Sequence, residues 1–214
     1  MSDVDAPEVS CETTSGAVVV EHARAKTTKV KTSFGAITIV DVTGDVSAET
    51  SSGSIEVDAQ GDARRRLESR FGSITTRGGG GHLEATTSSG DVTVRDFRGK
   101  ISGKTGFGRI DMAGVFSEAS AESRSGRVSV AASAGSSVAA PWRLSSGFGD
   151  VELVVPADFS CWVQARTSFG KVRADSLAGA QGKSRQNEIE GTLGTGGETV
   201  TLKTSSGNVT IRRN

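Results

Sequence analysis

The chain has no tyrosine, two cysteines, two histidines, three prolines and no net charge, with 25 basic residues balancing 25 acidic ones over 214 positions. The charge balance argues against a strongly basic nucleic-acid surface and equally against a polyanionic one. No stretch approaches the roughly 20 apolar residues of a membrane span. No basic-then-apolar segment opens the chain as a secretion signal would, and residues 1–8 read as a flexible polar lead. His22 and His82 stand in no metal-ligand spacing, so neither a metal nor a cofactor is expected. Cys11 and Cys161 fall in repeats that would stack about 35 Å apart, beyond disulfide reach, and read as unpaired thiols acting as small apolar residues.

Glycine, by contrast, is abundant at 28 residues, yet Val and Ile recur in register with it, which excludes a disordered linker. A short phrase repeats: Thr or Ser, two variable residues, Gly, then aliphatic residues two and four positions on. Its glycines are Gly16, Gly35, Gly53, Gly72, Gly90, Gly108, Gly126, Gly149, Gly170 and Gly207, spaced 18 or 19 residues apart up to Gly126. The later gaps are 23, 21 and 37 residues. A fixed period of this kind marks a stacked-repeat protein, whose units are too small to bury their own apolar faces.

Counting from each Gly, positions plus 2 and plus 4 are apolar almost throughout (Ile37/Ile39, Val92/Val94, Val209/Ile211), as one face of a strand requires. Positions minus 5 and minus 7 are mostly apolar, minus 3 is always Thr or Ser, and minus 4 is largely charged. Each period therefore holds two short strands and two turns, with the Gly turn using a backbone conformation that glycine adopts freely. The expected fold is all-β: a single-stranded β-solenoid of about ten coils over 9–214, with equivalent strands pairing in parallel. The crossover rule favours a right-handed wind. The inward hydroxyls would bond turn amides or one another along the stack.

Position minus 1 alternates Ser15, Phe34, Ser52, Phe71, Ser89, Phe107, Ser125, Phe148, until Phe169 follows Phe148 and breaks the pattern. A satellite packing column is the favoured reading of these rings, an exposed binding row the other. The pattern also slips at Arg64-Arg65-Arg66, where Arg65 falls on an inward position and suggests a bulge. Arg64, Arg66, Arg70 and Arg77 form a candidate anion-binding ligand face, against the plainer reading of a solvated corner. Gly78 to Gly81 read as a flexible turn, and Ser133 to Pro141 as an enlarged one, with a strand starting at Pro141-Trp142. The region 175–198 is either a degenerate coil with Asn187 in place of Gly or a protruding loop or hairpin.

Catalytic signals are weak. Asp91, Asp111 and Asp150 with Arg109 could suggest a carbohydrate-active site, but no paired carboxylates stand out and no catalytic residue is assigned. Asp91 beside Arg109, and Arg127 beside Asp150, read as charge pairs between rungs.

Two phrases, Thr50-Ser51-Ser52-Gly53-Ser54-Ile55-Glu56-Val57 and Thr87-Ser88-Ser89-Gly90-Asp91-Val92-Thr93-Val94, resemble the repeats of bacterial adhesin-like domains of unknown function, and Gly191 to Ile211 looks like that family's ending. The resemblance implies a β-solenoid in or near the bacterial envelope, with an adhesive or signalling role and no catalytic residues. It suggests a non-enzymatic interaction module for an extended ligand, glycan or protein. A carbohydrate-active β-helix enzyme and a scaffold stacking end to end through open terminal coils are the alternatives. No anchor or signal is visible in the chain to support envelope placement.

Overall fold

The computed structural model describes residues 2–175 and 187–214. It is all β, a parallel β-solenoid with no helix among the described residues. In chain order the strands are β1 (Ser2–Asp5), β2 (Glu8–Ser15), β3 (Val18–Phe34), β4 (Ile37–Ser52), β5 (Ile55–Ala59) and β6 (Asp62–Phe71). There follow β7 (Ile74–Arg77), β8 (Gly80–Ser89), β9 (Val92–Phe107), β10 (Ile110–Ser125), β11 (Val128–Ala132) and β12 (Trp142–Phe148). The last are β13 (Val151–Val155), β14 (Cys161–Phe169), β15 (Val172–Ala174), β16 (Glu188–Leu193), β17 (Thr199–Ser206) and β18 (Val209–Arg213). The backbone of Ser2–Asp5, inside the polar lead, pairs with β3 beside Glu21, Ala23 and Arg24.

The columns read from the sequence point as expected. Val30, Ala48, Leu67, Ala85 and Ala121 at minus 5 are buried, as are Ile37, Ile55, Val92 and Val128 at plus 2. One coil compensates internally: Gly103 leaves out a side chain where the Met112 methyl crosses the core, and a Cβ there would collide with it. Burying an apolar pair on every rung is what holds a stack whose single coils have no core of their own.

The coil count needs correction. The chain winds about seven turns in sequence order, from Gly16 to Gly149, not ten. From Gly16 to Gly149 each rung stacks on the one before it in sequence. After that the order changes. Strand β17 lies between β12 and β14, Leu144 facing Leu202 and Leu202 facing Ala165, while β18 lies between β13 and β15. The chain thus leaves one rung empty on its way to Gly170, then returns to fill it with Gly207. Ten glycine corners still form one ladder, but two of them are out of sequence order.

The irregular region does not hold a hidden coil at Asn187. Glu188–Leu193 runs antiparallel along β14, with Ile189 opposite Ala165, and closes that end of the stack. Residues 176–186 of the region lie outside the described residues. The enlarged turn at 133–141 is present, and β12 starts at Trp142. Trp142 is fully buried against Phe116 and Phe159, with ring centroids 6.3 and 5.3 Å away, so an aromatic cluster fills the core next to where the rung order changes.

Candidate interaction surface

The Gly corner determines what the surface beside it can be. Gly90, for example, has φ of +146°, and a Cβ there would collide with the Gly72 carbonyl. The same collision repeats at every later rung, so no other residue fits. The glycine carbonyls turn inward and accept from the buried hydroxyl of the next rung: Thr105 to Gly90 at 2.9 Å, Ser146 to Gly126 at 2.8 Å, Thr204 to Gly149 at 2.9 Å, Thr167 to Gly207 at 2.8 Å. The hydroxyl ladder therefore serves corner carbonyls, not the turn amides or other hydroxyls that were expected. The glycine amides donate to the carbonyl at minus 1 one rung further along, as in Gly149 to Ser206 and Gly207 to Phe169.

With both backbone groups of the corner satisfied, the side chain at minus 1 swings outward. Phe34, Phe71, Phe107, Phe148 and Phe169 are 58–77 % exposed, which overturns the packing-column reading. They stand in register with serines. Ser15 faces Phe34, Phe34 faces Ser52, and the order continues to Ser125 and Phe148. Ser206 then sits between Phe148 and Phe169. The inserted rung restores the alternation that the sequence had seemed to break. Five rings at about 9.6 Å intervals make a row about 38 Å long.

The row rises from low flanks. Position minus 2 is Ser33 beside Phe34, Gly106 beside Phe107, Gly147 beside Phe148 and Ser168 beside Phe169, with Arg70 beside Phe71 as the exception. A shallow depression of about 420 Å³ adjoins Phe107, lined by Ser88, Lys104, Gly106, Glu122 and Arg124. Two of its charges pair between rungs, Lys104 to Glu122 at 3.8 Å, as do Lys31 and Glu49 at 3.4 Å.

The four candidate arginines do not form one patch. Arg64 and Arg66 share the outward side of β6, where Arg66 is held by Glu68 at 2.6 Å. Arg70 flanks the Phe row, and Arg77 lies past the Gly72 corner on β7. The bulge expected at Arg65 is absent: it stays in register between Val46 and Leu83 and is fully buried. Its guanidinium donates to the carbonyls of Gly61 (3.0 Å) and Gly80 (3.2 Å) and lies 5.8 Å from the Phe97 ring centre. Burial lowers its pKa from the ordinary arginine value, and Asp62 opposes that shift. Gly79 belongs to this arrangement, since a Cβ there would strike the guanidinium, so the glycine run is a fitted wall around Arg65.

Asp91 and Asp150 are occupied structurally and do not converge. Asp91 accepts from the Arg109 amide at 2.7 Å and meets its guanidinium at 3.9 Å. Asp150, three rungs or about 14 Å away, accepts from the Asn208 amide at 2.7 Å. Arg127 consequently pairs with Glu152, which also meets Arg212 at 3.4 Å, and not with Asp150. Among the described residues no group of three or more His, Cys, Asp or Glu could hold a metal, and both cysteines are free. No helix of the described residues is long and apolar enough to cross a membrane.

Stacked parallel rungs, an invariant glycine corner and a buried hydroxyl ladder define a β-solenoid repeat protein. Comparison with known proteins places it more narrowly. The family model described as Toastrack DUF4097 matches residues 1–98 and again residues 76–212, and the chain belongs to that family. No curated protein and no solved structure matches. The family description carries no function, so the adhesive role suggested by the repeat phrases is not established by it.

Proposed function

We propose that the chain is a non-enzymatic interaction module of the bacterial envelope, binding an extended partner, glycan or protein, along the Phe row. One observation carries this reading: five phenylalanines, each more than half exposed, stand in line on a rigid corner. A ring exposed once needs no explanation, but five exposed rings repeated in line on a regular scaffold mark a contact surface. The low Ser and Gly flanks leave the rings accessible from both sides. A solenoid holds such positions at constant spacing, which suits a partner that is itself long and repetitive. Envelope placement rests on the resemblance of the repeat phrases.

The test is a glycan and protein array probed with the chain and with its Phe71→Ser/Phe107→Ser/Phe148→Ser variant. Binding that falls at least about tenfold in the variant, with the fold intact by circular dichroism, is the expected result. Binding unaffected by the three changes would move the contact surface elsewhere.

A further inference from the structure

The geometry points to a second copy of this chain as a partner of the Phe row, the two copies lying antiparallel with each ring seated on a serine of the other. This rests on the reading of the row as a contact surface and names one occupant for it.

Three properties of the row lead there. The first is its parity. Ten rungs alternate Ser and Phe, beginning with Ser15 and ending with Phe169. Reversing such a row exchanges every Ser with a Phe. A two-fold axis between Ser89 and Phe107 therefore places Phe107 over the second copy's Ser89, Phe71 over its Ser125, and Phe169 over its Ser15. A two-fold contact must be self-complementary, and an even alternating row meets that requirement over its whole length. The complement depends on the inserted rung, because without Ser206 two rings would be adjacent and the reversed row would clash.

The second property is spacing. Rings of one copy repeat at about 9.6 Å. A ring inserted midway lies about 4.8 Å along the row from each neighbour, within the roughly 4.5–7 Å at which aromatic pairs attract. The third is area. At 58–77 % exposure, five rings offer about 650 Å² a side, so two rows cover about 1,300 Å² before the flanks are counted, within the standard range for specific interfaces. The flanking charges add little. The axis brings Asp91 towards the second copy's Arg109 on one flank and Arg70 towards its Arg124 on the other, each twice, so attraction and repulsion offset and the rings carry the contact.

End-to-end stacking fits less well. The antiparallel β16 lies on β14 where the next copy's parallel rung would have to begin.

The test is sedimentation equilibrium of the full chain over a concentration series reaching the hundred-micromolar range. A dimer is expected, weakened at least about tenfold by Phe71→Ser/Phe107→Ser with unchanged circular dichroism. In a Cys11→Ser background, Ser89→Cys next to the axis should cross-link between copies, while Ser15→Cys, which faces the far end of the second copy, should not. A monomer throughout the series, a dimer indifferent to the Phe changes, or cross-linking at position 15 in place of 89 would each overturn the proposal. A monomer whose array binding is still lost in the Phe variants would overturn the dimer alone and leave the contact-surface reading standing.

Discussion

The two ends of the solenoid solve the same problem differently. At the N-terminal end β2 pairs only with β3, and its outer edge has no strand against it among the described residues. Cys11 and Val18 there are half-buried, whereas their counterparts one rung in, Val30 and Ile37, are buried. At the C-terminal end the chain overshoots, doubles back as antiparallel β16, and inserts its last rung beneath the one before it. Cys161, Val163 and Leu193 there are buried. An end strand with open amides and carbonyls invites pairing with another chain. The C-terminal end covers the parallel edge of β14 with a short antiparallel strand, and the N-terminal end leaves the parallel edge of β2 bare. Interior rungs share one corner and one hydroxyl ladder, and each end departs from that pattern in its own way.

Matched substitutions at the two ends should therefore differ. The largest contrast lies in the corner glycines. Gly207→Ala places a Cβ against the Gly149 carbonyl at φ of +144°, whereas Gly16→Ala meets nothing within 4 Å at φ of +111°. Urea unfolding should show about 3–5 kcal/mol lost for the first and about 1–2 kcal/mol for the second. Equal losses would mean that the inserted rung is not packed against Gly149. The hydroxyl ladder gives a smaller contrast. Thr204 is buried and bonds the Gly149 carbonyl at 2.9 Å, while the half-buried Thr13 has no rung below it and bonds the nearby Ser15 carbonyl at 3.0 Å. Thr204→Val should cost about 1–2 kcal/mol and Thr13→Val under about 0.5 kcal/mol by the same measurement.

The thiols give the smallest effect. Burial pushes Cys161 up from 9.0 to about 12, against a weaker pull from Arg213. The raised value means that the folded chain keeps a proton which the unfolded chain releases above pH 9. The stability linked to this group is complete below that pH and declines as pH rises towards 12, by at most about 1.4 kcal/mol per pH unit. Cys161→Ala should make the decline between pH 9 and 12 shallower, and thiol labelling of the native chain should modify Cys11 well before Cys161.

Much of the fold was legible because a solenoid states its rules on every rung. Glycine, hydroxyl and aliphatic columns read directly as corner, ladder and core. The count and order of rungs were less legible, since spacing along the chain implies sequential stacking and the last pairing joins residues such as Asp150 and Asn208, 58 positions apart. One trace of it was present: Phe148 and Phe169 break the alternation in sequence because Ser206 belongs between them in space. The Arg127 partner was misjudged for the same reason, as Asp150 is taken up by the inserted Asn208 amide. The exposure of the Phe row was hidden differently. Position minus 1 lies at a corner, where two-residue alternation no longer tells inside from outside. Arg65 could be placed inward but not explained, because its acceptors are carbonyls of two separate segments, at Gly61 and Gly80, that only the folded chain brings together.

Rung order is the observation on which the alternating row depends, and paired cysteines in a Cys11→Ser background test it directly. Arg143 and Gln164 each stand in register with Thr201 on opposite sides. Adjacent rungs place Cα atoms about 4.8 Å apart, within disulfide range, and alternate rungs about 9.6 Å apart, outside it. Arg143→Cys/Thr201→Cys and Gln164→Cys/Thr201→Cys should both oxidise to intramolecular disulfides, and Arg143→Cys/Gln164→Cys should not. A disulfide in that last variant alone would show the rungs stacked in sequence order and contradict the inserted strand.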